Sequence, residues 1–290
     1  MIVGRRRMLL GSVSLGLAAC TSAPGAKHSS VKLAVAQMAS VNGDVVGNLE
    51  RAKPLVADAA RQGADLVVFP EFMPSGYDLS TASWDSGERN IGATTMWLQV
   101  MAQRHGLYIG TSFLEARGED FYNTFALAGP TGDIGFVRKQ TPAGAEAFFF
   151  RGEDNPHIIE TRLGRIGVVI CQENYRCFAA NLMAEGKPDF ILAPHSFPDV
   201  SATGGLPSPP GTHVAGWYAR RFGVPVAMVN KTGAWSTPVI GGSTATGVFP
   251  GQSAIVGADG KTLALLGKEA GCAVAVAPLD QASRIAEPAR

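Results

Sequence analysis

From Val31 onward the chain alternates short apolar runs with amphipathic stretches, and this alternation constrains its fold more than any other feature. VKLAVAQM predicts a strand, and GNLERAKPLVADAARQG a helix that keeps its apolar positions on one side despite Pro54. ADLVVFPEF predicts a strand stopped by Pro70, whose missing N–H marks a sheet edge or an exit. TTMWLQVMAQRHG predicts a second helix. LYIGTSFLEA, FYNTFALAGP and IGFVRKQ predict three strands, with a turn at GPTGD between the last two.

The second half repeats the theme. PHIIETRLGRIGVVIC predicts two strands joined near Gly164, followed by the helix YRCFAANLMAEG, the strand PDFILAPHS, the helix HVAGWYARRFG and the strand VPVAMVNKTG. SAIVGADGKTLALLG predicts a hairpin around Ala258-Asp259-Gly260, and GCAVAVAPLD a late strand. Strands alternating with helices imply an α/β protein, and the hairpins among the crossovers argue against an all-parallel sheet. No internal period points to a solenoid, and no linker divides the region after Val31. The longest irregular segment is SFPDVSATGGLPSPPGT, Ser196 to Thr212, and long irregular loops inside compact domains tend to be functional.

The first twenty residues are of another kind: a basic start GRRRM, the apolar stretch LLGSVSLGLAA, then Cys20 and the small polar TSAPG. The apolar stretch is too short for a comfortable membrane span, so it predicts a signal peptide over residues 1–19. LAAC resembles the lipobox of bacterial lipoproteins, which makes Cys20 the acylated first residue of the mature chain and residues 20–30 a linker. RRRML resembles a twin-arginine export signal without its full consensus. The expectation is a lipid-anchored protein facing the periplasm. Thr21, where an aspartate would signal inner-membrane retention, tilts it towards the outer membrane.

Basic and acidic residues number 25 and 24; without Arg5, Arg6 and Arg7 they become 22 and 24, a net charge of −2. No nucleic-acid partner is expected from such a balance. Beyond Cys20 three cysteines remain, Cys171, Cys177 and Cys272, with no CxxC pair and no zinc-type spacing, so no metal is expected. Their odd number leaves at least one free thiol to explain. Cys171 and Cys177 stand on different faces if helical, which argues against a local disulfide.

In α/β sheets reactive groups collect where strands end. Three such ends carry chemistry: Glu71 after DLVVFP, Lys139 after IGFVR and Cys171 after RIGVVI. Singly, each has a bland reading as an exposed carboxylate, a solvated lysine or a buried thiol. Together they supply what hydrolysis of a C–N bond needs. A thiol attacks as thiolate and requires a base such as Glu71, and an ammonium such as Lys139 stabilises the charge that develops on the attacked group. The backbone N–H of Gln172 is a second donor for that charge.

FPEF, VRKQTP and GVVICQEN resemble, in order and spacing, the three signature blocks of the nitrilase superfamily of carbon-nitrogen hydrolases. Gly76-Tyr77, Glu146, NKTG at Asn230 to Gly233, and FPGQSAIVGADG add further matches, so the resemblance spans about Val31 to Leu279 and assigns residues 31–290 to one such domain. It implies a four-layer α-β-β-α sandwich, dimeric or larger, acting on a small amide or nitrile without any cofactor. Cys171 would be the nucleophile that forms a thioester, Glu71 the base and later acid, Lys139 the stabiliser and Glu146 an orienting group. Gln172, Glu173 and His195 are expected at the substrate.

The chain departs from the pattern at Gln172, where an aromatic residue is common, and at Thr141-Pro142, where histidine and leucine are frequent. CQEN stands nearer the C-x-E-N of nitrilases, yet amide hydrolysis is the commoner activity in the superfamily, so an amidase is the expectation. His213, Phe148, Phe149, Phe150 and the scattered tryptophans show no pattern beyond structural roles or an apolar pocket wall. The rivals are a lipid-anchored binding protein without catalysis and an acyltransferase to an amine. The superfamily's transferase branch carries several membrane spans, and this sequence has none after residue 20.

Overall fold

Along the first strand, Leu33 and Val35 face one apolar cluster while Ala34 and Ala36 face another, so the strand is buried on both sides. The computed structural model describes residues 28–238 and 242–279. The expected signal segment and Cys20 lie outside them.

The first half runs β1 (Ser30–Gln37), α1 (Val45–Arg61), β2 (Leu66–Val68), α2 (Ala93–His105), β3 (Tyr108–Arg117), β4 (Asp120–Ala128) and β5 (Ile134–Arg138). The second runs β6 (Ile158–Thr161), β7 (Gly164–Val168), α3 (Cys177–Gly186), β8 (Phe190–Pro194), α4 (Gly211–Phe222), β9 (Val226–Val229), β10 (Thr232–Pro238), β11 (Thr244–Pro250), β12 (Ala254–Val256), β13 (Thr262–Leu265) and β14 (Gly271–Pro278). Asp44 caps α1 by accepting the Gly47 N–H at 3.0 Å, and Gly106 ends α2 at a φ of 70°, which glycine adopts without penalty.

Two six-stranded sheets result, ordered β14-β1-β2-β3-β4-β5 and β13-β12-β9-β8-β7-β6. Each has three parallel strands at its centre, β1-β2-β3 and β7-β8-β9, flanked by antiparallel ones. Pro70 therefore marks the exit of the central strand β2, not a sheet edge. Leu33, Val68, Phe125, Val168, Leu192 and Ile255 meet in one core between the sheets. The outer faces are covered by α1 and α2 on one side, through Val56 and Leu98, and by α3 and α4 on the other, through Met183 and Tyr218. The layers are α-β-β-α, as the resemblance implied.

The sequence reading missed one element. It ran the strand after α4 through Gly233, whereas β9 ends at Val229 and a separate hairpin, β10 with β11, follows. Threonine, glycine and proline interrupt the apolar alternation there, and burial rests on a few anchors, Thr232, Trp235, Thr237 and Phe249. Trp235 and Phe249 pack with Phe72 and Tyr77, so the hairpin closes over the segment that follows β2.

Because Phe125 is fully buried where the two sheets meet, Phe125→Ala should lower unfolding stability by roughly 3–5 kcal/mol. Urea unfolding at constant m-value checks this.

Candidate active site

Glu71 lies three residues beyond β2, Lys139 directly beyond β5 and Cys171 three residues beyond β7. Two of these strands belong to one sheet and the third to the other, and their ends converge. Both Phe72, at a φ of 48°, and Cys171, at a φ of 52°, take left-handed backbone conformations. Such conformations cost non-glycine residues about 1–3 kcal/mol each and persist where the surroundings enforce them. At Cys171 the strand passes into a short 3-10 turn, Cys171–Tyr175, so the thiol is held at a sharp bend.

Lys139 is the hub. Its Nζ donates to Glu71 Oε1 at 2.8 Å and to Glu146 Oε2 and Oε1 at 2.8 and 3.1 Å, and all three side chains are buried. Each carboxylate is held by further donors. Glu71 Oε1 also accepts from Asn123 Nδ2 at 2.7 Å, and Oε2 from the Ser196 N–H at 2.9 Å. Ser196 Oγ donates to the Glu71 carbonyl at 2.6 Å. Glu146 accepts from the Tyr77 hydroxyl at 2.9 Å and from the Ala143 N–H at 2.8 Å. The Cys171 thiol is buried beside this cluster and feels the charges of Glu71, Lys139 and Glu146.

Burial pushes the Glu71 carboxyl up, but the charge and hydrogen bonding of Lys139 outweigh it and hold the group below its ordinary range. Burial raises Glu146, and the Glu71 charge adds to that against the pull of Lys139. The Cys171 thiol is pushed well up by burial and by the Glu71 charge, with Lys139 opposing. At rest the pair is an ionised carboxylate facing a protonated thiol. The proton must move as the sulfur attacks, which is general-base geometry.

Of the other expected site residues, Gln172 is half-buried at the start of the 3-10 turn, where amides have no partner within the turn. His195 is fully buried; its Nδ1 bonds the Ala193 carbonyl at 2.9 Å, and burial lowers it to about 4, so it is neutral. Its backbone carbonyl accepts the Glu71 N–H at 3.3 Å.

Glu173, expected at the substrate, is engaged with backbone amides. Its buried carboxylate accepts the N–H groups of Ile170 at 3.0 Å and Gln140 at 2.6 Å. It thus ties the nucleophile's turn to the loop after Lys139, and burial lifts it to about 7. Asn123 and Ser196 escaped the sequence reading. Asn123 is signalled only by a polar residue in the apolar run FYNTFALA, and Ser196 only by its place after the β8 strand end.

The carbon-nitrogen hydrolase family pattern matches residues 32–287. Over 267 residues the chain is 28% identical to an N-carbamoylputrescine amidase of Solanum tuberosum, covering 88% of each chain. It is 32% identical over 168 residues to a nitrilase of Pyrococcus abyssi, covering 57% of this chain and 64% of the relative. A match to an aliphatic nitrilase of Sinorhizobium fredii, 31% identical, covers 50% of this chain and 53% of that one. The chain therefore spans between about half and two thirds of these two nitrilases. Among solved structures, a carbon-nitrogen hydrolase from Helicobacter pylori superposes with a TM-score of 0.76 at 22% identity, covering 87% of this chain and 90% of the other. An amidase from Nesterenkonia does so with a TM-score of 0.73 at 23% identity, covering 90% and 95%. With a family pattern spanning nearly all of the described residues, on the fold and strand ends set out above, this chain belongs to the carbon-nitrogen hydrolase family.

Proposed function

We propose that the protein is a cysteine hydrolase that cleaves the non-peptide C–N bond of a small amide through a thioester on Cys171. The observation that carries this reading is the buried Glu71–Lys139–Glu146 cluster, in which the Glu71 carboxylate accepts from the Lys139 ammonium at 2.8 Å and its charge acts on the buried Cys171 thiol. As sulfur attacks the carbonyl carbon, Glu71 takes the thiol proton. Negative charge develops on the carbonyl oxygen, to be met by the Gln172 N–H and the fixed charge of Lys139. Protonation of Glu71 weakens its hold on Lys139 Nζ, freeing an N–H for the oxyanion at the moment it forms. Glu71 then passes the proton to the leaving nitrogen, and ammonia or an amine departs. A water deprotonated by Glu71 attacks the thioester, and collapse releases the acid and the thiol, protonated again from Glu71.

An amide is favoured over a nitrile by the likeness to an N-carbamoylputrescine amidase over 88% of each chain, against 57% of this chain for the nitrilase. We further propose that residues 1–19 direct export and that Cys20 carries the lipid anchor. This part rests on the sequence LAAC and the basic, then apolar start.

Ammonia release by a soluble form lacking residues 1–20, assayed against short aliphatic and aromatic amides, N-carbamoyl amino acids and matching nitriles, should be highest with an amide-type substrate and vanish in Cys171→Ala. Product that forms only when an amine acceptor is added would instead establish a transferase, and no turnover with a free Cys171 a binding protein. Glu71→Gln should separate two properties. Losing the carboxylate charge lowers the thiol pKa, so the thiolate absorbance at a given alkaline pH rises, while hydrolysis falls by about 100- to 10,000-fold for want of the base. In cells, labelled fatty acid should enter the full-length protein and be lost in Cys20→Ser.

A further inference from the structure

Lys231 is a second fully buried ammonium, and the reaction just outlined makes no use of it. It stands between β9 and β10, on the far side of the chain in sequence from Glu71. Its Nζ donates to the Phe72 carbonyl at 2.8 Å and to Ser40 Oγ at 2.7 Å. Ser40 Oγ in turn donates to the Met73 carbonyl at 2.8 Å. Ammonium and hydroxyl together thus hold two consecutive carbonyls of the turn that begins at Glu71. The first belongs to Phe72, the residue in the left-handed conformation next to the proposed base.

A carbonyl needs no cation to satisfy it. The Gly76 N–H already donates to the Phe72 carbonyl at 2.9 Å, and an ammonium is costly to bury even when paired. Among the described residues Lys231 makes no ion pair with a carboxylate. What the lysine adds is charge, set against the carbonyl of Phe72, the residue next to Glu71. Glu71 and Glu146, with Lys139 alone between them, leave a surplus of negative charge in a dry site when both are ionised. Lys231 offsets it.

We propose that Lys231 is a positioning residue for Glu71: its ammonium fixes the strained turn that displays the base and places a second positive charge beside it. The proposal rests on Glu71 being the base in the reading above. Burial brings Lys231 down to about 7, with the Glu71 charge opposing the shift.

The test compares Lys231→Met, Lys231→Arg and Ser40→Ala with the wild type, by crystal structure and by kcat and KM on the best amide across the pH range. Lys139, Glu146, Cys171, His195 and Tyr77, the other titratable groups around Glu71, are unchanged in all three. Lys231→Met should lower kcat about 100-fold, as misplacing a catalytic group by an ångström does, while KM changes little. Losing a nearby cation raises the Glu71 pKa, so the acid limb of kcat/KM should move to higher pH. In the crystal, Phe72 should leave its left-handed conformation. Lys231→Arg should restore the limb and most of kcat, and Ser40→Ala should displace the Met73 carbonyl without moving the limb.

A Lys231→Met enzyme with an unmoved acid limb and an undisplaced turn would overturn the proposal, and so would an arginine variant as impaired as the methionine one. If Lys231→Met does not fold, the other two variants decide: an undisplaced turn in Ser40→Ala together with a displaced limb in Lys231→Arg overturns it. If the wild type shows no cysteine-dependent hydrolysis, the functional reading fails by itself, and the crystal comparison of the turn still decides whether Lys231 positions Glu71.

Discussion

An ammonium clamped between two carboxylates in a site closed to water sets the terms for everything around it. Moving such charges out of solvent is repaid only when geometry is good and every remaining lone pair finds a donor. The chain meets that demand from far apart in sequence, with Asn123 from β4, Ser196 from beyond β8, Tyr77 from the segment after β2, and the Ala143 amide from the loop after β5. No single segment offers that many donors. The cluster is thereby a contact between the two sheets as much as the proposed reaction centre.

The architecture explains why those pieces meet. Parallel triplets at the centre of each sheet direct β2, β7 and β8 so that their C-terminal ends open on the same region, and the shared apolar core fixes one sheet against the other. Antiparallel strands flank the triplets, and β5 among them delivers Lys139 to the same place. Glu173 then fastens the nucleophile's turn to the lysine's loop through backbone amides, so the two halves are joined at the reacting groups themselves. Replacing Glu173 with an apolar residue would leave those amides without their acceptor.

Much of this was legible in the sequence because it depends on local pattern. The strand and helix alternation follows from burial on both sheet faces, and Glu71, Lys139 and Cys171 were marked by polar or nucleophilic residues at the ends of apolar runs. What escaped depends on tertiary partners. In the β10–β11 hairpin burial alternates, but inward positions include Thr237 and Gly247 while Ala234 and Val248 face outward, so hydropathy does not follow the alternation. The sequence places Glu173 at the substrate rather than on backbone amides, and it gives Lys231 no role of its own beyond the NKTG match. Their burial follows from backbone amides and carbonyls contributed by segments 30 to 160 residues away, and no spacing rule encodes that.

The pairing of β1 with β14 along its whole length joins the first described strand to the last. A ribosome delivers β1 with its outer edge open, and the edge stays a template for mispairing until residues 271–278 emerge. Closing so long a loop costs chain entropy before its contacts form, which slows folding. Until residues 271–278 pair with β1 the first sheet stays unfinished, and the strand ends that carry Glu71 and Lys139 belong to that sheet.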